Sequence, residues 1–456
     1  MELIKIDRGR IAGGIPDELI IASLDTHRLN VPKYEKLRRY YRGAHMIEER
    51  RQDGPLAPNN RLVNNFPKYI TDTVCGYVFG NSITLTAADD TTDISPVADA
   101  LSAADAGTYN AELGKILSVY GLGYELWYMD DTATPRMATV EPRHAFLVYS
   151  DDVREQPLFG VTYRRQNPRQ APMGEYDATY HLYLYTDTEV REYTLENGAL
   201  IMTGSAPHYF GHIPLIEYWN NEDGMGDFEH VLTLIDAYNT LQSDRVNDKE
   251  RFVSAILMIR GATLGEDSET AAAILKNSIL ELPEKDADAA YLIKSMDESQ
   301  VEILRRSLAD DIHKFSQVPD FTDQQFTGNS SGVAIKYKLM SLECLANIKE
   351  RYFTSGLKER LALVANIIAV KGGPVIDPAS VQITFHRTLP ANELETMQMV
   401  TMGKTAGVIS LPTAVKELNL AADTGAEVAA IQREAADKQA ATAATFGVPG
   451  PQDLVM

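Results

Sequence analysis

Cysteine is nearly absent from this chain of 456 residues: Cys75 and Cys344 stand far apart, with no CxxC spacing. That excludes a disulfide-stapled scaffold and a cysteine-rich zinc site, and it fits a reducing compartment. Basic residues are outnumbered, 43 Lys+Arg against 64 Asp+Glu, which leaves a net charge of −21. So acidic a surface disfavours general adhesion to DNA or to anionic membrane, because phosphate binding draws its affinity from basic residues and counterion release. Long apolar runs are also missing. The longest conspicuous uncharged stretch, Asn197 to Ile216, is broken by Gly198, Gly204, Gly211, Pro207 and Pro214 and does not read as a membrane span. The first 30 residues carry no apolar core flanked by a basic end, so the expectation is a soluble chain made in the cytoplasm without a signal peptide. No G-x-x-x-x-G-K-[ST] phosphate loop and no G-x-S-x-G elbow occurs.

What is present is ordinary globular material, 44% hydrophobic and 23% charged, long enough for roughly three domains or subdomains. The first 80 residues read as helical. One stretch opens at Pro16 and a second at Pro32, the latter ending at Gly43 as a C′ glycine; Phe66, Ile70, Val74 and Val78 then repeat at helical spacing. A further helix over Ala111 to Val119 closes on Tyr120-Gly121-Leu122-Gly123. From Tyr124 to Asn220 the pattern turns to strands, with Asn197-Gly198 between apolar runs as a hairpin signal.

Helix returns at Phe228, with an apolar face of Val231, Ile235, Tyr238 and Leu241 that thins over Gln242 to Arg251 and resumes at Phe252 to Leu257. Continuous to Arg260, it would run about 50 Å, with a polar waist that is solvated or faces a polar channel. After a mixed region, Ser299-Gln300-Val301-Glu302 matches a capping box opening a helix that Pro319 stops. A third long helix is expected from Gly332 to Ile368, before the breaker Gly372-Gly373-Pro374. Val381, Ile383 and Phe385 alternate as a strand. Asn392 to Asp437 reads as helical, with Ser410 and Pro412 opening its second helix, and the Ala-, then Gly/Pro-rich tail 438–456 reads as frayed or disordered.

Chemistry-bearing candidates are few. His208 and His212 stand four apart, but Gly211 and Pro214 break any helix that would align them as metal ligands. Asp89-Asp90, Asp130-Asp131 and Asp151-Asp152 are carboxylate pairs able to serve acid/base or metal chemistry, yet they sit in turn-like contexts where solvated aspartates are commoner. Gly121-Leu122-Gly123 lacks the third glycine of a nucleotide fingerprint. The aromatic residues of the strand-rich region read as cross-strand packing. No metal and no cofactor is expected. Two very long helices, a shorter one between them and a polar loop at their junction make a poor monomer, more easily explained if copies pack side by side around something wet.

Four segments, in order along the chain, carry a resemblance. They are Tyr41-Arg42-Gly43 with Asn60-Arg61-Leu62-Val63-Asn64-Asn65 and Thr73 to Gly80; Ile235-Asp236-Ala237-Tyr238-Asn239 with Ser243-Asp244 and Asn247-Asp248; Pro319-Asp320 through Gly328-Asn329-Ser330-Ser331-Gly332-Val333-Ala334-Ile335-Lys336-Tyr337-Lys338-Leu339; and Lys349-Glu350-Arg351 with the helix after it. As an ordered set they resemble the portal (head–tail connector) proteins of tailed double-stranded DNA bacteriophages, in the siphophage branch typical of Gram-positive hosts.

The resemblance implies an α+β, mostly helical fold arranged as a ring, usually dodecameric, around a DNA tunnel at one capsid vertex, through which DNA is packaged and later ejected. Residues 1–227 would form the wing, with a β-rich subdomain at 124–220; 228–260 a stem helix; 261–297 the clip; 298–318 the second stem helix; 319–331 the tunnel loop; 332–390 a long wing helix and strand; and 391–437 the crown. Asp320, Asp323, Gln324, Gln325, Phe326 and Asn329 would then lie on the tunnel loop, and Gln242, Asp244, Arg245, Asp248 and Lys249 would be candidates to line the stem. Implied partners are further copies of the chain, the terminase packaging motor, a head-completion or adaptor protein, capsid and scaffolding proteins, and the passing DNA, with no membrane. The implied location is the virion, after assembly in the host cytoplasm, and no catalysis is implied. From other classes, the competing readings are an acid-rich hydrolase or lyase using the Asp pairs and His208/His212, and a different phage structural protein such as an adaptor.

Overall fold

A computed structural model describes residues 3–52, 57–89, 92–166, 179–253, 256–260, 288–292, 298–322, 332–388, 393–418 and 424–446. The chain divides into two compact units, 1–321 with 339–388, and 322–338 with 389–456. The α+β, mostly helical class holds.

The first unit begins with β1 (Ile4–Ile6), α1 (Asp17–Arg28), α2 (Val31–Tyr41), α3 (Phe66–Phe79), β2 (Thr84–Ala87), α4 (Ser95–Ala103) and α5 (Ala106–Tyr120). Eight strands follow: β3 (Leu122–Met129), β4 (Pro135–Val140), β5 (Ala145–Ser150), β6 (Pro157–Arg165), β7 (Tyr180–Tyr185), β8 (Glu189–Glu196), β9 (Ala199–Pro207) and β10 (Leu215–Trp219). They make a six-stranded sheet in the order β1-β5-β6-β7-β8-β9 and a three-stranded sheet β10-β3-β4. The β8–β9 hairpin turns on Asn197 (φ 51°) and Gly198 (φ 78°), the left-handed pair that a tight two-residue loop requires. Gly43 (φ 88°) and Gly121 (φ 82°) close α2 and α5 as the sequence indicated.

Leu19, Ile20 and Leu24 of α1 bury against Phe146, Val148, Phe159, Leu182 and Leu184 of the six-stranded sheet. Leu147 points the other way, into a second core with Leu122, Tyr124, Tyr185 and Leu215. The strand alternation thus serves two cores at once. α1 also carries His27 into the first core, where Nε2 donates to the Pro142 carbonyl at 2.7 Å and Nδ1 accepts from the Tyr163 hydroxyl at 3.0 Å.

The chain then forms α6 (Leu232–Val253), β11 (Ile256–Arg260), β12 (Asp288–Leu292), α7 (Glu298–Ser316), α8 (Gly332–Lys338), α9 (Met340–Val370) and β13 (Val381–Thr384). Two expectations are corrected here. The helix from Phe228 stops at Val253, and Ile256–Arg260 is a strand paired antiparallel with β12, Ile256 opposite Leu292. A short apolar run such as Ile-Leu-Met-Ile suits a strand as well as a buried helix, and here ladder pairing decides. The helix from Gly332 is interrupted at Leu339 (φ −88°, ψ −1°), and its two pieces fall in different compact units. α7 begins at Glu298, beside the expected start at Ser299, and the Glu302 carboxylate pairs with Arg305 and Arg245. The pairing of β13 with β2 was not foreseen.

α9 lies on β10. Gly356 permits this, since a Cβ there would come within 2.3 Å of the Tyr218 ring. Two cations on α9 are buried. Lys349 Nζ donates to Asp227 Oδ2 (2.9 Å) and Ser118 Oγ (2.6 Å), and Arg360 Nε donates to Glu125 Oε1 (2.9 Å).

In the second unit, α10 (Glu393–Thr405), α11 (Leu411–Leu418) and α12 (Thr424–Phe446) follow α8. Ser410 caps α11, its Oγ accepting from Thr413 N–H at 3.3 Å, as its place before Pro412 indicated. Residues 438–446, expected to fray, are helical; their alanines carry the highest helix propensity. The remaining tail lies outside the described residues.

Burial lowers the pKa of His27 from 6.5 to about 4. Between those values the unfolded chain binds the extra proton, so stability rises with pH across that window and is lost as pH falls from 6.5 toward 4. The full effect is on the order of 3 kcal/mol. Denaturant midpoints measured from pH 7.5 to 4.5 should fall steeply for the native chain and less steeply for His27→Gln, which keeps a donor and an acceptor but does not titrate.

Candidate functional site

The polar waist of α6 has a specific partner. Asn239, Ser243 and Asn247, four residues apart, lie on one helix face and are buried. Beside them runs the segment 58–65, which belongs to no helix or sheet. Asn60 N–H and Nδ2 both donate to Asn247 Oδ1 (2.8 and 3.0 Å). Leu62 N–H donates to Ser243 Oγ (2.9 Å). Asn64 N–H and Nδ2 donate to Asn239 Oδ1 (2.7 and 3.2 Å). Alternate backbone amides are thus satisfied by side chains of a helix instead of a neighbouring strand.

Each member is itself held. Ser243 Oγ donates back to the Asn239 carbonyl (2.7 Å). Asn239 Nδ2 donates to His45 Nδ1 (2.8 Å), and His45 Nε2–H donates to the Tyr40 carbonyl (3.0 Å). Burial holds the His45 pKa below its ordinary value, which suits this neutral tautomer. The Tyr40 hydroxyl donates to Asp236 (2.8 Å). The first two motif segments of the sequence therefore interlock, and sequence reasoning missed this. The readable signal was Asn/Ser/Asn at steps of four facing Asn-x-Leu-x-Asn at steps of two.

The remaining polar waist residues face elsewhere. Asp244 pairs with Arg50 (2.6 Å), Arg245 with Glu302 (3.1 Å) and Lys249 with Glu298. Gln242 and Asp248 are half-buried on the same helix. α6 and α7 thus run as a pair zipped by charge, with Glu302 held down to about 2, chiefly by Arg305. Of the loop candidates, Asp320 is half-buried, between Pro319, whose carbonyl accepts from the Tyr69 hydroxyl at 2.9 Å, and Phe321, whose N–H donates to the Tyr69 hydroxyl oxygen at 3.2 Å. Asp323, Gln324, Gln325, Phe326 and Asn329 lie outside the described residues.

The carboxylate and histidine candidates make turns. Asp130 Oδ1 accepts from Thr132 and Thr134 N–H (both 2.9 Å), and these bonds with the Thr132 hydroxyl and Arg136 hold its pKa far down. Asp152 accepts from Arg154 N–H and Asp89 from Thr92 N–H (both 2.8 Å). His208 uses both ring nitrogens locally, Nδ1 accepting from Phe210 N–H (3.1 Å) and Nε2 donating to the Thr186 carbonyl (2.9 Å). It does not share a site with His212, and among the described residues no group of three or more His, Cys, Asp or Glu could hold a metal. Ser118 and Lys349 are within reach as a Ser–Lys nucleophile pair would be, but both are buried and Asp227 neutralises the lysine.

With this geometry in place, the chain belongs to the phage portal family: the family described as "Phage portal protein, SPP1 Gp6-like" matches residues 22–441. Among its relatives, the portal protein of Bacillus phage SPP1 is 25% identical over 446 residues, covering 92% of this chain and 86% of that one. The portal protein of Clostridium phage phiCD119 is 21% identical over 386 residues, covering 80% of this chain and 82% of that one. The family is a structural one, of capsid components, and the hydrolase reading has no support. Among the described residues, no helix is long and apolar enough to cross a membrane.

Ser243→Ala should expose the value of one rung. Removing the acceptor of the part-buried Leu62 amide costs about 0.5–1.5 kcal/mol. Hydrogen exchange should quicken first at the Asn60 to Asn64 amides, while the α1–sheet core keeps its protection; uniform loss across the chain would show that the rung has no local role.

Proposed function

We propose that copies of the chain close into a ring around a channel for double-stranded DNA at the capsid vertex, serving packaging, ejection and connection of head to tail. The observation that carries this reading is the family match over residues 22–441. It is supported by the charge-zipped pair α6–α7, whose connection 254–297 contains the β11–β12 ladder. In this reading α6 and α7 are the stem, 261–297 is the clip that meets the terminase motor and later a head-completion protein, 319–331 is the tunnel loop, residues 1–227 and α9 form the wing, and 391–437 the crown. The protein positions DNA and partners and carries out no catalysis.

The acidic balance suits a channel through which DNA must slide, since each phosphate contact is a place to stall. Purified protein should form closed rings with a central hole in negative-stain images. A strict monomer over a wide range of salt and protein concentration would sink the ring.

The loop is tested separately. Gln324→Lys with Gln325→Lys should leave rings intact yet slow DNA translocation in a packaging assay, with the defect fading as salt rises. Packaging at the unmodified rate at low salt would remove the loop from the DNA path.

A further inference from the structure

One cavity of about 780 Å³ runs against the charge of the whole molecule. Its walls come from α2, α5, the end of β4 with the turn after it, and the end of β6. Six cationic side chains converge there: Arg38, Arg42, Lys115, Arg143, Arg164 and Arg165. Arg143 is engaged, with Glu35 at 2.5 Å and with Glu141. The other five make no ion pair among the described residues, although elsewhere cations such as Arg50, Arg245, Lys349 and Arg360 are paired. Lys115 rests its ammonium 4.9 Å from the centre of the Tyr41 ring, and Arg165 Nε is buried with no hydrogen-bond partner. Glu112, the other carboxylate in the wall, is occupied with the Thr139 hydroxyl (3.2 Å).

The wall holds six cations against two carboxylates, Glu112 and Glu141, so the cations in excess repel one another, and a buried guanidinium N–H without an acceptor carries a desolvation cost. Both are relieved by an anion that brings several oxygens. The cavity is too large for one small ion, and its arginine forks suit carboxylates presented in a row. In a chain of net charge −21, the abundant source of such carboxylates is another copy of the chain. Nucleic acid is the less fitting occupant, because gripping phosphates opposes the sliding that the acidic balance favours.

We infer that this cavity receives the acidic surface of a second copy of the chain, so that assembly is directed by charge at this face. The inference rests on the ring reading above.

The test uses full-length protein assembled from a mixture of nitrogen-15-labelled and unlabelled chains. Treatment with a carbodiimide should form an amide between Lys115 and an Asp or Glu of the other isotopic label. Lys115 joined only to its own chain, or left unmodified in closed rings, would overturn the inference. As a second arm, Arg38→Gln with Arg42→Gln should raise the protein concentration needed for rings about tenfold at low salt, with the difference shrinking at high salt. Rings forming at unchanged concentration, from a variant with an unchanged unfolding midpoint, would also overturn it. So would a fluorescent DNA duplex that binds native rings and not variant rings while assembly is unaffected, which would assign the cavity to nucleic acid. Native chains that never assemble would defeat the ring reading itself, whereas closed native rings with an indifferent cavity would defeat this inference alone.

Discussion

Two buried cations on one helix hold the first unit in register. Lys349 and Arg360 are eleven residues apart on α9, close to three full turns, so they leave the helix on nearly the same face. One meets Asp227, in the loop after β10, and the other meets Glu125 on β3. Pairs so deeply buried contribute little net stability, because removing both charges from water offsets their attraction. Their influence lies in the alternatives they forbid. Sliding α9 by a turn, or rotating it by one residue, would strand a charge in the core at a cost of about 3–5 kcal/mol. Ser118 on α5 joins through Lys349 and Asn110 on α5 through Arg360, so α5, β3 and the loop after β10 are positioned by one helix.

Much of this fold was legible. The hydrophobic spacing of α1 and α3, the Asn197-Gly198 turn and the closing glycines at 43 and 121 are local signals, and local chemistry decides them. Where the reading failed, contacts distant in sequence decide. Ile256 to Ile259 became strand because β12 lies alongside. The helix's own sequence gives no sign that Lys349 and Arg360 are interior; only their partners Asp227 and Glu125, more than a hundred residues earlier, reveal it. The waist of α6 misled for the same reason: Asn and Ser in a helix suggest water, whereas here they serve the backbone of 60–64. The family resemblance brought those two segments together without giving the reason they belong together.

Charge divides the molecule into roles. Inside, carboxylates are matched one by one, as Asp227 and Glu125 are; Glu217 takes Tyr124 (2.7 Å), Trp219 (2.8 Å) and Tyr149 as donors, even as burial pushes its pKa upward. Along α6–α7 the matching is between neighbouring helices. The chain as a whole is acidic; among the described residues the cavity beside α2 and α5 gathers cations, and β9, the last strand of its sheet, carries no charge from Ala199 to Pro207. A chain of this composition can approach a like-charged neighbour only through such exceptions.

The rungs between α6 and the segment 58–65 act like a vernier. Four residues of helix advance about 6.0 Å, and two residues of extended chain about 6.6 Å. The two scales coincide at one rung, drift by about half an ångström at the next, and by more than an ångström at the third. That is near the spread of distance a hydrogen bond tolerates. Three rungs are therefore close to the longest run such a ladder can hold, and the chain turns into α3 directly after Asn65. The start of α3 is thus tied to α6 through the rung at Asn64, one residue before the helix cap.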